Sequence, residues 1–216
     1  MKLPLDGSRR LYCITVLAAV AGASGCATQT PAGQTPPAAS PAAATATGAA
    51  AINELQDRIR KLNEQGLTLT NYSVAKAQCW LDTAWSQYSE NDSSGFPDEA
   101  LAESTAIVSA LESDKSSKAG FSTPFVVSST KVRDDLWTRV QDYKTRTATL
   151  SCTARHVACA EVQLVRAGHA LNETGWRQAS PYVNMAEDAL RRAGVAAARC
   201  SPSTAQAPAQ DSSRLP

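Results

Sequence analysis

Residues 152–172 read CTARHVACAEVQLVRAGHALN, and this run decides the fold class. Val157, Ala160, Leu164, Ala167 and Leu171 recur at intervals of three and four, which places them along one side of a helix. Gly168 interrupts the run at a cost in helix propensity, and it permits a close helix contact. Two cysteines and two histidines sit among these residues: Cys152 and Cys159, His156 and His169.

The same period appears on both sides of this run. Towards the C-terminus, Ser180-Pro181 reads as a cap followed by a first-position proline. It opens a helix to about Arg199 that buries Tyr182, Met185, Ala189 and Ala193. Towards the N-terminus, residues 131–146 form a helix with Val132, Leu136, Val140 and Tyr143 facing in. Residues 113–129 read as an ordered loop anchored by Phe121, Phe125, Val126 and Val127, with a short strand at Phe125–Val127 as an option.

Pro97, Asp98 and Glu99 start a further helix, whose expected buried face is Leu101, Thr105, Val108 and Leu111. Asn71 or Ser73 caps a helix that ends near Asn91 and carries the stripe Val74, Ala77, Leu81, Ala84 and Tyr88. Ile52, Leu55, Ile59 and Leu62 lie on a first helix that stops near Gly66. Two heptads are too few to hold a coiled-coil dimer, so this helix is expected to fold back on its own domain. Strand alternation is nearly absent. The expectation is an all-α domain over residues 52–200, with five to six helices in stacked antiparallel hairpins, tetratricopeptide-like.

One interval repeats. Cys79 precedes Gly95-Phe96 by the same distance that Cys159 precedes Gly175-Trp176. Each pair leads to a proline, and then to Ala-Glu: Pro97 to Ala102-Glu103, and Pro181 to Ala186-Glu187. The second copy has four extra residues, assigned to its turn. The pattern describes two related hairpins about 80 residues apart.

The N-terminus has a different composition. Lys2, Arg9 and Arg10 precede the apolar run Leu11–Ala23, which is too short for a comfortable membrane span. Ala23-Ser24-Gly25-Cys26 then resembles a bacterial lipobox. Residues 1–25 are expected to be a lipoprotein signal peptide, and Cys26 the lipidated N-terminus. An uncleaved anchor and ordinary signal cleavage are the alternatives. By resemblance to Gram-negative lipoproteins, Ala27 after the cysteine implies an outer-membrane destination facing the periplasm. Residues 27–51 carry no charge and no large apolar side chain, so 26–51 is expected to be a disordered tether spanning roughly 25–30 Å. Residues 201–216 read as a disordered tail.

Charge excludes little except nucleic acid. The chain has 21 basic and 20 acidic residues; the signal holds three of the first and one of the second, leaving 18 against 19 without a basic stripe. Four body cysteines remain, Cys79, Cys152, Cys159 and Cys200, an even number that suggests two disulfides in an exported protein. If the last two helices form an antiparallel hairpin, Cys152 meets Cys200 and leaves Cys79 for Cys159. Pairing Cys152 with Cys159 along one helix fails, since seven residues rise about 10 Å, and it survives only if the helix starts after Cys152. The competing reading is a zinc cluster of Cys152, His156, Cys159 and Cys79.

Two segments, Ala75–Gly95 and Ala158–Tyr182, resemble the N-terminal helical region of proteobacterial OmpA-family outer-membrane lipoproteins. In that family a C-terminal domain grips peptidoglycan. These 216 residues hold no counterpart of it, so peptidoglycan binding does not carry over. The expected function is therefore a non-enzymatic, lipid-anchored protein-interaction or envelope-structural module, with envelope proteins as partners and no cofactor or metal. A ligand-binding lipoprotein for glycan or peptidoglycan is the alternative, using Trp80, Trp85, Trp137 and Trp176. A hydrolase is the minor alternative. His156, His169, Glu161 and Glu173 are its candidate groups, and no nucleophile elbow, metalloprotease motif or phosphate loop accompanies them.

Overall fold

The computed structural model describes residues 41–200. The signal peptide, Cys26 with its lipobox, most of the expected tether and the C-terminal tail lie outside the described residues. Six α-helices and no strand are present among those described. They are α1 (Pro41–Glu64), α2 (Tyr72–Ser89), α3 (Phe96–Ser113), α4 (Asp134–Thr145), α5 (Thr147–Thr174) and α6 (Trp176–Cys200). A single 3-10 turn, Val126–Ser128, takes the place of the optional strand at Phe125–Val127.

Local chemistry explains the helix starts. Asn71 caps α2, its side-chain oxygen accepting from the backbone N–H groups of Ser73 and Val74 at 2.9 and 3.2 Å. Gly95 precedes α3 with φ 86°, and Gly175 precedes α6 with φ 87°, a conformation that glycine adopts without steric cost. The two glycines of the repeated interval share this positive φ and differ in ψ, −11° at Gly95 and −176° at Gly175. Gly175 is the entire connection between α5 and α6.

Three sequence expectations are corrected. α1 reaches back to Pro41, into the stretch read as tether, because Ala42–Ala44 and Ala49–Ala51 are the strongest of helix formers. Gly48 on this extension lies so close to Tyr88 that a Cβ there would stand 2.6 Å from the ring. Second, Pro181 lies inside α6 rather than at its start. The four extra residues of the second copy form an added helical turn. Third, two buried faces are rotated. α6 buries Ala179, Val183, Ala186, Leu190 and Ala193, leaving Met185 half exposed; α3 buries Phe96, Ala100, Ser104, Ile107, Val108 and Leu111, leaving Leu101 and Thr105 at the margin. Alanine-rich and serine-rich turns offer two stripes of similar hydrophobicity, and the partner helix selects between them.

The helices assemble as two matching halves. α2 and α3 form one antiparallel hairpin, and α1 packs on both of its helices; α5 and α6 form the other, with α4 packed on both. The halves meet where α2 lies against α5. Partners on these two helices advance together: Cys79 with Cys159, Ser86 with Arg166, and Ser94, just beyond α2, with His169. α2 and α5 therefore run parallel, and equivalent positions of the two halves face each other. The two cysteines of the repeated interval are bonded to one another.

α5 is buried on almost every side. Ala154, Val157, Ala158, Ala160, Val162, Leu164, Val165 and Ala167 all belong to the core. A helix with so little polar face belongs at the centre of a domain. Trp80 and Phe96 are fully buried on the α2–α3 side.

The long α3–α4 connection crosses between the halves. It is pinned by the Glu99 carboxylate, which accepts from the Val127 N–H at 2.8 Å, and by Asn172, whose side-chain amide donates to the Ser128 carbonyl at 2.5 Å. Val127 and Ser128 both take left-handed backbone angles there, φ 46° and 55°, costly for a β-branched residue and held by these contacts. Gly168 is required below them: a Cβ would fall 1.9 Å from the Thr130 carbonyl oxygen.

The second bond, Cys152–Cys200, ties α5 to the end of α6. Its α-carbons are 6.3 Å apart and those of Cys79–Cys159 are 5.2 Å apart, both within disulfide range. All four sulfurs are engaged in these pairs and not in a shared zinc cluster. Replacing Cys79 and Cys159 together by alanine opens a link spanning 80 residues. We expect a loss of about 3–4 kcal/mol, read as a lower guanidinium midpoint at unchanged helicity.

Candidate functional site

The sequence of α2 places Lys76 within Val74-Ala75-Lys76-Ala77, an apolar context for a charge. The sequence of α5 does the same with Glu161 between Ala160 and Val162. The parallel packing of α2 on α5 brings the two together at zero exposure. A buried carboxylate needs partners for both oxygens, since an unpaired one costs several kcal/mol. Glu161 has them. Oε2 accepts from the Lys76 ammonium and from the Tyr72 hydroxyl; Oε1 accepts from the Lys144 ammonium of α4 at 2.9 Å.

The outer members extend this network to the α3–α4 connection. Lys76 also donates to Thr123 Oγ1 at 2.7 Å, and Lys144 to the Phe121 carbonyl. The Phe121 ring packs on Tyr72 with centroids 4.7 Å apart. Both ammoniums stand over the Tyr72 ring, at 5.8 and 5.6 Å from its centroid, within cation–π range.

The titration of each group follows from this geometry. Burial pushes the Glu161 carboxyl upward, and the facing ammoniums of Lys76 and Lys144 outweigh it, so its pKa lies below the ordinary glutamate value. Burial dominates at Lys76 and lowers it to about 8, against the pull of Glu161, because two lysines share that carboxylate. Burial and then the Glu161 charge raise the Tyr72 phenol, which keeps its proton and remains a donor. Each Glu161 oxygen thus has at least one charged donor, and Oε2 has a second donor in the Tyr72 hydroxyl.

Lys144 and Thr123 are also part of the wall of a cleft of about 430 Å³ between α4 and the α3–α4 connection. Phe121, Phe125 and Trp137 supply its apolar surface, and the Phe125 and Trp137 rings meet at 5.5 Å. Sequence reasoning misses both the cluster and this cleft. The signal that could have found the cluster is a lone charge inside an otherwise apolar helical stripe, once at Lys76 and once at Glu161.

The histidines and tryptophans named from sequence are dispersed. His169 is buried and stacks on Phe96 with centroids 4.5 Å apart. Its Nε2 faces Ser94 Oγ at 3.0 Å and Glu173 at 3.3 Å. Its Nδ1 is buried without a partner, so nothing holds the far side of the ring as a general base paired with serine requires. His156 lies elsewhere, beside Arg155 and Arg192; partial burial and those two cations depress its pKa. Glu161 is committed to the lysines, so the four candidate acid–base groups do not converge. Trp80 and Trp137 are core residues, and Trp85 and Trp176 are about half exposed, at 50% and 52%.

No protein-family model, curated protein or solved structure matches this chain.

The cluster makes a pH signature. Glu161 is held below its ordinary value of 4.5, so its contribution to stability is complete above about pH 4.5 and is lost as pH falls through the lower folded value. Lys76 acts on the other limb: between about 8 and 10.5 the unfolded chain binds more protons, so stability rises with pH there. Glu161→Gln should cost about 3–5 kcal/mol at pH 7 by leaving two buried ammoniums with no carboxylate. It should also flatten the acid limb of a stability–pH curve measured by urea unfolding.

Proposed function

We propose that this chain is a lipid-anchored helical module facing the periplasm from an outer membrane, and that it works by non-covalent attachment to envelope components. The observation that carries this reading is the division of its cysteines. The four in the helical body are bonded in pairs, which suits an oxidising compartment, while Cys26 stands directly behind a signal-like segment in a lipobox context. Among the described residues no helix is long and apolar enough to cross a membrane, so attachment in this reading rests on the lipid.

The resemblance to the helical region of OmpA-family lipoproteins supports the same placement. The interaction role draws on the rigid, twice-bonded body and on the absence of a converged acid–base–nucleophile set among the described residues. A glycan-binding role is the second reading, and the half-exposed Trp85 and Trp176 favour it.

Mass spectrometry of the membrane-extracted protein should find Cys26 as the N-terminal residue carrying fatty acyl mass, and Cys26→Ser should abolish that mass. A retained segment 1–25, or an unmodified Cys26, would sink the anchor. Crosslinking in intact membranes should capture a protein partner, whereas co-sedimentation with purified cell wall and no protein adduct would favour the glycan reading.

A further inference from the structure

The cleft between α4 and the α3–α4 connection has an electrostatic asymmetry. Lys76 is fully buried, Lys144 is partly buried, and the two share the single carboxylate of Glu161. Glu103 on α3 is the next acid to Lys76, and it forms no ion pair within 4 Å among the described residues. The cluster therefore holds a surplus positive charge, which is costly in a low-dielectric setting unless an anion meets it. Lys144, at 8% exposure, is the member that lines the cleft. Two of its three protons go to Glu161 and to the Phe121 carbonyl, and the third has no assigned acceptor. The other charges in the wall, Lys131 and Asp134, neutralise each other at 2.6 Å.

The remaining wall joins the rings of Phe121, Phe125 and Trp137 to uncharged polar side chains that include Thr138 and Gln141. Phe125 is 41% exposed beside Trp137, whose indole N–H is buried without a hydrogen-bond partner. A volume of about 430 Å³ falls within the range of small-molecule sites.

We propose that this cleft is a binding site for a small carboxylate carried on a flat, apolar ring. The carboxylate meets the Lys144 ammonium, and the ring lies against Phe125 and Trp137. This placement compensates the surplus charge and covers the exposed phenyl face. A bare anion would satisfy the first need only, and a neutral ring the second only. The site is independent of Cys26 and of any protein partner.

Isothermal titration of the full-length protein with four probes tests it: indole-3-acetate, indole-3-acetamide, acetate and inorganic phosphate. Indole-3-acetate should bind saturably below about 10 mM, and the amide about tenfold or more weaker, as expected when a charged hydrogen bond is lost. Acetate and phosphate should bind at least about tenfold more weakly than indole-3-acetate, for want of the ring. Phe125→Ala, at a position 41% exposed, should weaken indole-3-acetate and leave acetate unchanged, with unchanged helicity as the check that the variant is folded. Lys144→Met should erase the preference for acid over amide. Should Lys144→Met fail to fold, the acid–amide comparison in the native chain and the Phe125 variant still decide. Equal affinity for acid and amide, phosphate binding as tight as indole-3-acetate, or no saturable binding by any probe overturns the proposal.

Discussion

The structure depends on one carboxylate. Glu161 lies at the middle of the most buried helix and cannot stay charged there alone. Its partners are three side chains from two helices: Tyr72 and Lys76 from successive turns of α2, and Lys144 from α4. Satisfying it fixes how α2 and α4 sit on α5, and through Thr123 and Phe121 it fixes the path of the α3–α4 connection. Apolar contacts tolerate small shifts in register, and a network with this many geometric demands does not. A one-turn slide of α2 along α5 would displace Lys76 by about 5.4 Å and leave both charges buried. The network is better understood as specifying one packing than as adding net stability.

Around it the molecule is built twice. Each half is a hairpin with a third helix laid across it, and the halves meet through their first hairpin helices. The disulfide Cys79–Cys159 joins equivalent positions, and the glycines 95 and 175 end the two connections with nearly the same φ. The halves differ where the special features lie. α4 has 12 residues where α1 has 24, and the space beside the shorter helix is filled by the α3–α4 connection. The cleft lies along that connection.

Much of this is legible in the amino-acid order alone. The helix count, a cap at Asn71 or Ser73, the start at residues 96–97 and one buried stripe of α5 follow from spacing and capping chemistry, and the cysteine pairs follow from hairpin geometry; the burial of α5 on its other sides does not. The rotations of α3 and α6 are not legible. Alanine at 186 and 189 and serine or threonine at 104 and 105 give a helix nearly equal reasons to turn either way. The extension of α1 is hidden because prolines at 31, 36, 37 and 41 suggest an extended chain, whereas the alanines behind Pro41 are sufficient for a helix once Gly48 can approach Tyr88. The Lys76–Glu161 pair is hidden for a different reason. A lone charge in an apolar stripe is visible in sequence, but its partner lies 85 positions away and is recognisable only when α2 is known to lie parallel to α5.

The two disulfides have a mechanical meaning. Tension entering at the start of α1 and leaving at the end of α6 reaches Cys79, crosses to Cys159, runs back seven residues to Cys152 and crosses again to Cys200. The chain between Cys79 and Cys152, which carries α3, the crossing segment and α4, lies off that covalent path. So do the rest of α5 and nearly all of α6. A pull on this protein can peel α1 and strain α2, while the halves remain shackled at their shared seam. The body can therefore stretch by only a small part of its contour length, and behaves under load more like a short link than a spring.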